Sequence, residues 1–387
     1  MSKPFGFEKP LGMRDTLPSM YETKARLRKT ISDAMHRWGY RFVETPALEY
    51  FDTVGTATSI EERQLFKLLD QEGKTLVLRP DMTAPIARIA ASRLNAEGHP
   101  LRLAYDANVY RAQQREGGRP AEFEQLGVEL IGDASIAADA EVIALMVHVV
   151  RLAGLSKFQV AVGHIGFVQL LLGEATESKE QADQLTRFLY EKNYVGYRRA
   201  LAEMPLSEEA KQKLETLLDL RGKRETIKRA ETVASGAREK AILAEMKELS
   251  AILDDFGVGD HVKVDFTLVS HMDYYTGYVF EGLDETIGYP IASGGRYDEL
   301  LEKFSAPAPA TGFAVFFDRL IEAVGERDSE AFTICVLYTA DRRAEAMRLA
   351  AVKRNKGERV VLQDVAGLDD IETYAGKFDE VVYYLDS

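Results

Sequence analysis

Apolar positions along the chain change period several times, and each change predicts an element. From Ser19 to Tyr40 they recur at helical spacing, through Leu27, Ile31, Met35 and Trp38, with Gly39 as a stop. Apolar, β-branched segments follow at Arg41–Tyr50, Leu65–Leu69, Thr75–Arg79, Leu101–Arg111 and Phe123–Ile131. These predict strands, and Gln71-Glu-Gly-Lys74 predicts a hairpin loop. Alanine-rich Asp139–Leu152 predicts a buried helix, and Phe158–Val162 another strand. Glu177 to Asp255 is dense in Glu, Lys, Arg and Ala, which predicts pairs of amphipathic helices broken at Pro205 and Ser235-Gly236. Strands resume at Val262–Val269, Gly277–Gly282, Tyr289–Ala292 and Thr311–Phe317, so the helical stretch reads as an insertion into a mainly antiparallel sheet. Ala306-Pro-Ala-Pro-Ala310 reads as a loop, and a boundary falls near Glu326-Arg-Asp-Ser329. Beyond it, Ala331–Tyr338, Arg342–Lys356, Arg359–Gln363, Ile371–Lys377 and Glu380–Leu385 predict β-α-β-α-β, a unit of about 60 residues near the lower limit of independent stability.

Composition narrows the class. With 387 residues, two or three domains are expected, and 46% hydrophobic residues are too many for a disordered chain. No apolar run reaches the ~18–20 residues of a membrane span, and the N-terminus lacks a secretory apolar region, so a cytoplasmic protein is expected. The single cysteine, Cys335, excludes an internal disulfide, and no Cys/His group has metal-ligand spacing. The net charge of −13 counts against strong non-specific affinity for nucleic acid, though not against a local basic groove.

The candidate chemistry is charge where a strand should be apolar. Period two puts Gln125, Gly127 and Glu129 on one face and Leu126, Val128 and Leu130 on the other. Arg79, Asp81 and Thr83 share a face if their strand continues that far, and Arg111 ends another apolar strand. Such groups are solvated, paired or bound to a ligand, and the pattern leaves an ordinary exposed sheet face open. Asp273-Tyr-Tyr-Thr-Gly277 offers phenols and flat rings suited to a small polar ring, or else core aromatics. Ser293-Gly-Gly-Arg-Tyr-Asp298 reads as a turn or a close backbone approach, with Arg296 able to bridge to Asp298. Gly117-Gly118, between Arg115-Glu116 and Arg119, reads either as a loop over a phosphate-bearing ligand or as a solvated hairpin tip. His164 and His271 read as surface or hydrogen-bonded structural histidines.

In order, these segments resemble histidyl-tRNA synthetase from about Pro10 through Gly325, continuing weakly into the tail. Leu11-Gly-Met-Arg-Asp-Thr-Leu-Pro18 is similar to that family's opening, and Glu44-Thr-Pro-Ala-Leu-Glu49 to class II motif 1, the dimer-interface element. Val109-Tyr-Arg111 with Glu122–Glu129 resembles motif 2, and Thr311–Leu320 resembles motif 3. Asp273-Tyr-Tyr275 and Ser293–Asp298 resemble the histidine-specific segments. The resemblance implies an α+β fold: a class II synthetase-like antiparallel sheet flanked by helices over 1–325, with a helical insertion at 176–256. It also implies a truncated anticodon-binding-like α/β domain over 330–387. By the same resemblance, Asp81 (where the family has Glu) and Gln125 face the α-ammonium of histidine, with Thr83 beside them. Glu129 and Tyr275 face its imidazole, Tyr274 packs close by, and Arg111 takes the carboxylate.

The departures from the family bear on function. Ser270 stands where the synthetase has the arginine that binds the carboxylate and α-phosphate during adenylation, and serine cannot supply a bidentate cation. Gln113 replaces the motif 2 glutamate, and Phe316 stands where a glycine is expected near adenine. Arg111, Gln113, Phe316 and Arg319 thus outline a vestigial nucleotide site, and the tail is too short for a full anticodon-binding domain. A retained histidine pocket without this machinery resembles the regulatory subunits of ATP phosphoribosyltransferase, which implies a non-catalytic subunit, without cofactor or metal, that is required for activity of the short catalytic subunit and takes part in histidine feedback on the first step of histidine biosynthesis. The implied partners are L-histidine, the short-form catalytic subunit in a hetero-octamer of four and four, and a second copy through motif 1, with no membrane or tRNA. The alternatives are an active histidyl-tRNA synthetase with atypical motifs and a different synthetase paralogue.

Overall fold

The computed structural model describes residues 8–112, 120–269, 274–325 and 332–385. Gln113, Ser270, His271, Asp273 and the Arg115–Arg119 loop lie outside them, as does the boundary segment Glu326–Ser329. Helix α1 (Pro18–Arg37) starts on a proline that supplies no helical donor, and the chain turns at Gly39 with φ +84°. The run Arg41–Tyr50 does not form one strand. It splits at Thr45-Pro46 into β1 (Arg41–Phe42) and β2 (Leu48–Tyr50), which join different sheets. β3 (Lys67–Leu69) and β4 (Thr75–Leu78) form the expected hairpin, with Gly73 at φ +82°.

The strand of β4 stops before Pro80, so Arg79, Asp81 and Thr83 do not share a strand face. Thr83 opens helix α2 (Thr83–Ile89). Arg79 is buried elsewhere, donating to the carbonyl oxygens of Asn108 and Thr45 at 2.8 and 2.6 Å.

The principal sheet continues with β5 (Leu101–Tyr110), β6 (Glu122–Ile131), β7 (Phe158–His164), β8 (Arg221–Gly222), β9 (Val262–Asp265), β10 (Tyr278–Asp284), β11 (Ala292–Arg296) and β12 (Ala310–Phe316). Its nine strands run β1-β5-β6-β12-β11-β10-β7-β9-β8. The centre is antiparallel, while β1–β5 and β7–β9 are parallel pairs. The expected strand at Tyr289–Ala292 is displaced, because Pro290 interrupts it and pairing starts at Ala292. Ser293-Gly-Gly therefore lies within a strand and forms no turn. Helix α3 (Ile136–Leu152) is capped by Ser135 and packs on Leu126, Val128 and Leu130 with α1 in one apolar core.

Between β7 and β9 come helices α4 (Ile165–Ala175), α5 (Lys179–Tyr190), α6 (Tyr194–Glu203), α7 (Glu208–Leu217), α8 (Glu225–Ala230) and α9 (Ala237–Asp255). Only the two residues of β8 interrupt the helices of this insertion. His164 caps α4 through its Nδ1, which accepts the amide of Phe167 at 3.3 Å. Burial lowers its pKa to about 4, which keeps it neutral. Helix α10 (Phe317–Val324) follows β12 directly.

The chain divides near residue 326 into two compact units. The second holds a parallel sheet of β13 (Thr333–Tyr338), β14 (Arg359–Asp364) and β15 (Glu380–Tyr384) in the order β14-β13-β15. Helix α11 (Arg343–Asn355) covers one face, with Ala346 and Ala350 against Ile334 and Val336, and α12 (Ile371–Ala375) covers the other around Cys335 and Leu337.

Candidate functional site

Strand register assembles the site. Alternation along β6 sends Leu126, Val128 and Leu130 into the helix-covered core and turns Gln125, Gly127 and Glu129 to the opposite face. On that face Glu129 lies opposite Gly312 and Gln125 opposite Phe316 of β12, while Gly295 of β11 lies opposite Gly312. Asp81, Thr83, Arg111, Gln125, Glu129, Tyr274 and Tyr275 line one pocket, with Tyr105, Ser293, Tyr297 and Phe316 completing its wall. Gly312 leaves the space that the Glu129 carboxyl occupies, since any β-carbon there would collide with Oε2. A β-carbon on Gly295 would stand 2.8 Å from the Tyr275 ring.

The carboxyl and guanidinium groups of the pocket are held. Asp81 is buried, accepting the Ala84 amide at 3.2 Å on Oδ1 and the Thr58 hydroxyl on Oδ2. The Arg111 Nε donates to the Pro80 carbonyl at 2.9 Å, and its guanidinium stands 5.2 Å from the Phe123 ring centroid. Glu129 is 2% exposed, and its Oε2 accepts the Tyr297 hydroxyl at 2.5 Å. Burial pushes the Glu129 pKa up to about 8; hydrogen bonds from Tyr297 and Thr83 oppose the rise, and nearby Asp81 adds to it. Burial likewise raises Tyr105, Tyr274, Tyr275 and Tyr297, so these phenols stay protonated as donors. Tyr274 meets Tyr275 and Tyr297 edge to face at 5.0 and 5.7 Å between centroids. The arrangement gathers two carboxyl groups, an amide, a guanidinium and several phenols around one small cavity. That combination suits a small ligand with an ammonium group and a polar ring.

The four residues expected to outline a vestigial nucleotide site are only partly brought together. Arg111 and Phe316 line the pocket, and Gln113 lies outside the described residues. Arg319 is not in the pocket wall. Its guanidinium stacks between Phe316 and Tyr289, at 4.4 and 5.1 Å from their centroids, and donates to the Pro290 carbonyl at 2.8 Å. Tyr289 in turn donates to Glu322. Phe316 also meets Phe123 in a tilted contact at 6.5 Å, so aromatic rings and guanidinium groups form a continuous chain of contacts from Arg111 to Tyr289.

Sequence reasoning missed Thr58, Tyr105, Tyr297 and Gly312. Tyr297 sits in the Ser293–Asp298 segment already singled out, but reading that segment as a turn hid its approach to β6. Arg296, two places beyond Gly294, points to the helix side and forms a buried pair with Asp139 at 2.8 Å as well as the expected contact with Asp298 at 3.2 Å.

A larger cavity of about 220 Å³, against about 30 Å³ here, lies between α9 and strands β7 and β9. Val162, Leu249, Leu253 and Val264 line it, with Arg224 and Asp254 paired at its rim. No cluster of buried polar groups converges on it, so the chemistry favours the smaller pocket. Among the described residues no three His, Cys, Asp or Glu are placed to hold a metal ion, and no helix is long and apolar enough to cross a membrane.

A sequence model of the family described as "Histidyl-tRNA synthetase" matches residues 12–320, and one described as "Histidyl-tRNA synthetase HisZ, C-terminal domain" matches 335–386. The chain is 56% identical over 383 residues to the ATP phosphoribosyltransferase regulatory subunit of Geobacillus kaustophilus, covering 99% of this chain and 97% of the relative. It is 54% identical to the protein of the same name from Bacillus subtilis, covering 98% and 97%. The crystal structure of an ATP phosphoribosyltransferase regulatory subunit/histidyl-tRNA synthetase from Bacillus halodurans superposes with TM-score 0.94 at 53% identity, covering both chains fully. Histidyl-tRNA synthetase from Nostoc, at 19% identity, TM-score 0.82 and coverage of 97% and 89%, shares the fold.

Proposed function

The chain belongs to the histidyl-tRNA synthetase-like family of ATP phosphoribosyltransferase regulatory subunits, and from that membership we propose that it senses histidine in the β6–β12 pocket and passes the signal to a separate catalytic subunit. The observation that carries the reading is the convergence of Asp81, Thr83, Gln125, Glu129 and Tyr275 on one small buried pocket, beside an aromatic stack that holds Arg319. Asp81 and Gln125 take the ligand's ammonium, Glu129 and Tyr275 its imidazole, and Arg111 its carboxylate. The partner is a short-form ATP phosphoribosyltransferase in a four-plus-four assembly built on dimers of this chain, located in the cytoplasm. Feedback is then a coupling free energy between this pocket and the partner's catalytic site, of typically about 1–3 kcal/mol.

The test is co-expression with a short ATP phosphoribosyltransferase, followed by mass measurement and assay with and without histidine. We expect one complex, active and histidine-inhibited, whose inhibition Glu129→Ala abolishes while assembly persists. Two independent outcomes count against the reading: histidine inhibition that survives Glu129→Ala, and histidine-dependent ATP–pyrophosphate exchange by the chain alone.

A further inference from the structure

Tyr297 lies outside the seven pocket residues argued from sequence, yet its hydroxyl donates to Glu129 Oε2 at 2.5 Å, beside a second side-chain hydrogen bond from Thr83. It follows the last residue of β11, and its amide donates to the Ala310 carbonyl at 2.7 Å, which fixes its backbone against β12. Its ring is 2% exposed and abuts Tyr274. Gly312 lies on the other side of the carboxyl and leaves it room. Glu129 is therefore held from two sides, with Oε2 engaged by the phenol. Oε2 is thereby committed to the phenol, while the Thr83 side chain also hydrogen-bonds the carboxyl.

Resting on histidine as the occupant of this pocket, we infer that Tyr297 is a positioning and specificity-determining residue: by fixing Oε2 it directs the other carboxyl oxygen of Glu129 at an imidazole nitrogen, so that carboxyl and ring share a single proton. The described groups facing Glu129 are Asp81 and Thr83 at the start of α2, Tyr105 and Arg111 of β5 and its end, and Tyr274, Tyr275 and Tyr297. Asp81 and Arg111 are oppositely charged neighbours, and the phenols are neutral. The state of Glu129 therefore decides the proton count.

Near neutral pH the empty pocket carries a protonated Glu129, and free histidine, with an imidazole pKa of about 6.5, is mostly neutral. The complex contains the same one proton between them, so none is taken up or released. Below the imidazole pKa the ligand must shed a proton to bind, and above the Glu129 pKa the pocket must gain one. Affinity is thus greatest in a window between the two, and a neutral isostere lacking a ring nitrogen acceptor leaves the carboxyl unpaired.

Histidine calorimetry from pH 5.5 to 9.5 on wild type, Tyr297→Phe and Glu129→Gln tests this. Wild type should show both limbs. Tyr297→Phe should bind about tenfold more weakly at neutral pH, with its alkaline limb moved to higher pH, because the lost hydrogen bond had favoured the charged carboxyl. Glu129→Gln should keep only the alkaline limb set by the ligand's own α-ammonium. A carboxyl-carbon NMR titration without ligand, assigned by Glu129→Gln, should show the same upward move in Tyr297→Phe. Uniform weakening with an unmoved limb would mean that Tyr297 only packs, and an unchanged profile would overturn the inference outright. Absence of histidine binding by wild type would instead defeat the occupant itself, while the ligand-free titration still reads the Tyr297 contact.

Discussion

At Glu129 the protein buries a carboxyl that an unfolded chain would hold ionised above its ordinary pKa of 4.5. The folded pKa, about 8, lies above the unfolded one, so between the two the native state holds a proton that the unfolded state has lost. Stability therefore falls as pH rises through that window and levels off above it, each pH unit being worth at most about 1.4 kcal/mol. Glu129→Gln removes the proton difference while keeping an acceptor for the Tyr297 hydroxyl. Urea unfolding from pH 5 to 8.5 should show the variant gaining stability relative to wild type as pH rises; parallel curves would refute the buried, protonated carboxyl. The same residue shows what single positions disclose. Its place in the alternation Gln125-Leu-Gly-Val-Glu129 exposes an acid on a strand with an apolar reverse face. Alternation carries no information about Thr58 or Tyr297, whose relevance comes only from contacts across 23 residues to Asp81 and 168 residues to Glu129.

At the scale of elements, the Arg296–Asp139 pair joins the end of β11 to the first turn of α3. The guanidinium makes two hydrogen bonds to the carboxylate at 2.9 and 3.1 Å and also donates to the Asp133 and Ser135 carbonyls at 3.1 and 3.3 Å. The side chains are 8% and 1% exposed, so removing one partner strands a buried charge and two helix-entry carbonyls. Arg296→Ala should destabilise the first compact unit by about 3–5 kcal/mol, read as a lower urea midpoint with an unchanged slope. A loss below about 1 kcal/mol would show that the pair is replaceable by water. Elements with a strong period were legible in advance: α1, α3, β5, β6 and the charged helices of the insertion. The failures have local causes. Proline at 46, 80 and 290 cut or displaced strands that apolar content had extended. Glycines at 294 and 295 looked like turn formers, but serve close approach of neighbouring strands and of the Tyr275 ring. The short helices α2 and α10 follow strands too closely for a helical period to emerge.

For the whole molecule, the small sheet ordered β2-β4-β3 poses a problem that a single copy leaves unsolved. It covers Val77, Ile60 and Leu65 on its inner side, yet leaves Leu48, Tyr50 and Leu68 of its other face nearly half exposed, and Leu69 at the end of β3 is 73% exposed. Phe42 of the neighbouring edge strand β1 is exposed as well. Apolar side chains gathered on adjoining strands signal an interface more than scattered ones do. The segment Glu44–Glu49, which resembles the motif 1 dimer element, runs directly into β2. The occupant proposed for this face is a second copy of the chain. The net charge of −13 on each copy opposes self-association, so burial of this patch must outweigh long-range repulsion that salt screens. The dimer should therefore tighten, or hold unchanged, as salt rises, opposite to an interface built on surface ion pairs. Leu48→Glu with Leu68→Glu places two carboxylates per copy on one face of this sheet while leaving the β2–β4 and β3–β4 backbone pairing untouched. Sedimentation should then find a dimer in wild type and a monomer in the variant, with both circular dichroism spectra superimposable. If wild type sediments as a monomer at micromolar concentration, or the variant as a dimer, the partner of this sheet is something other than another copy.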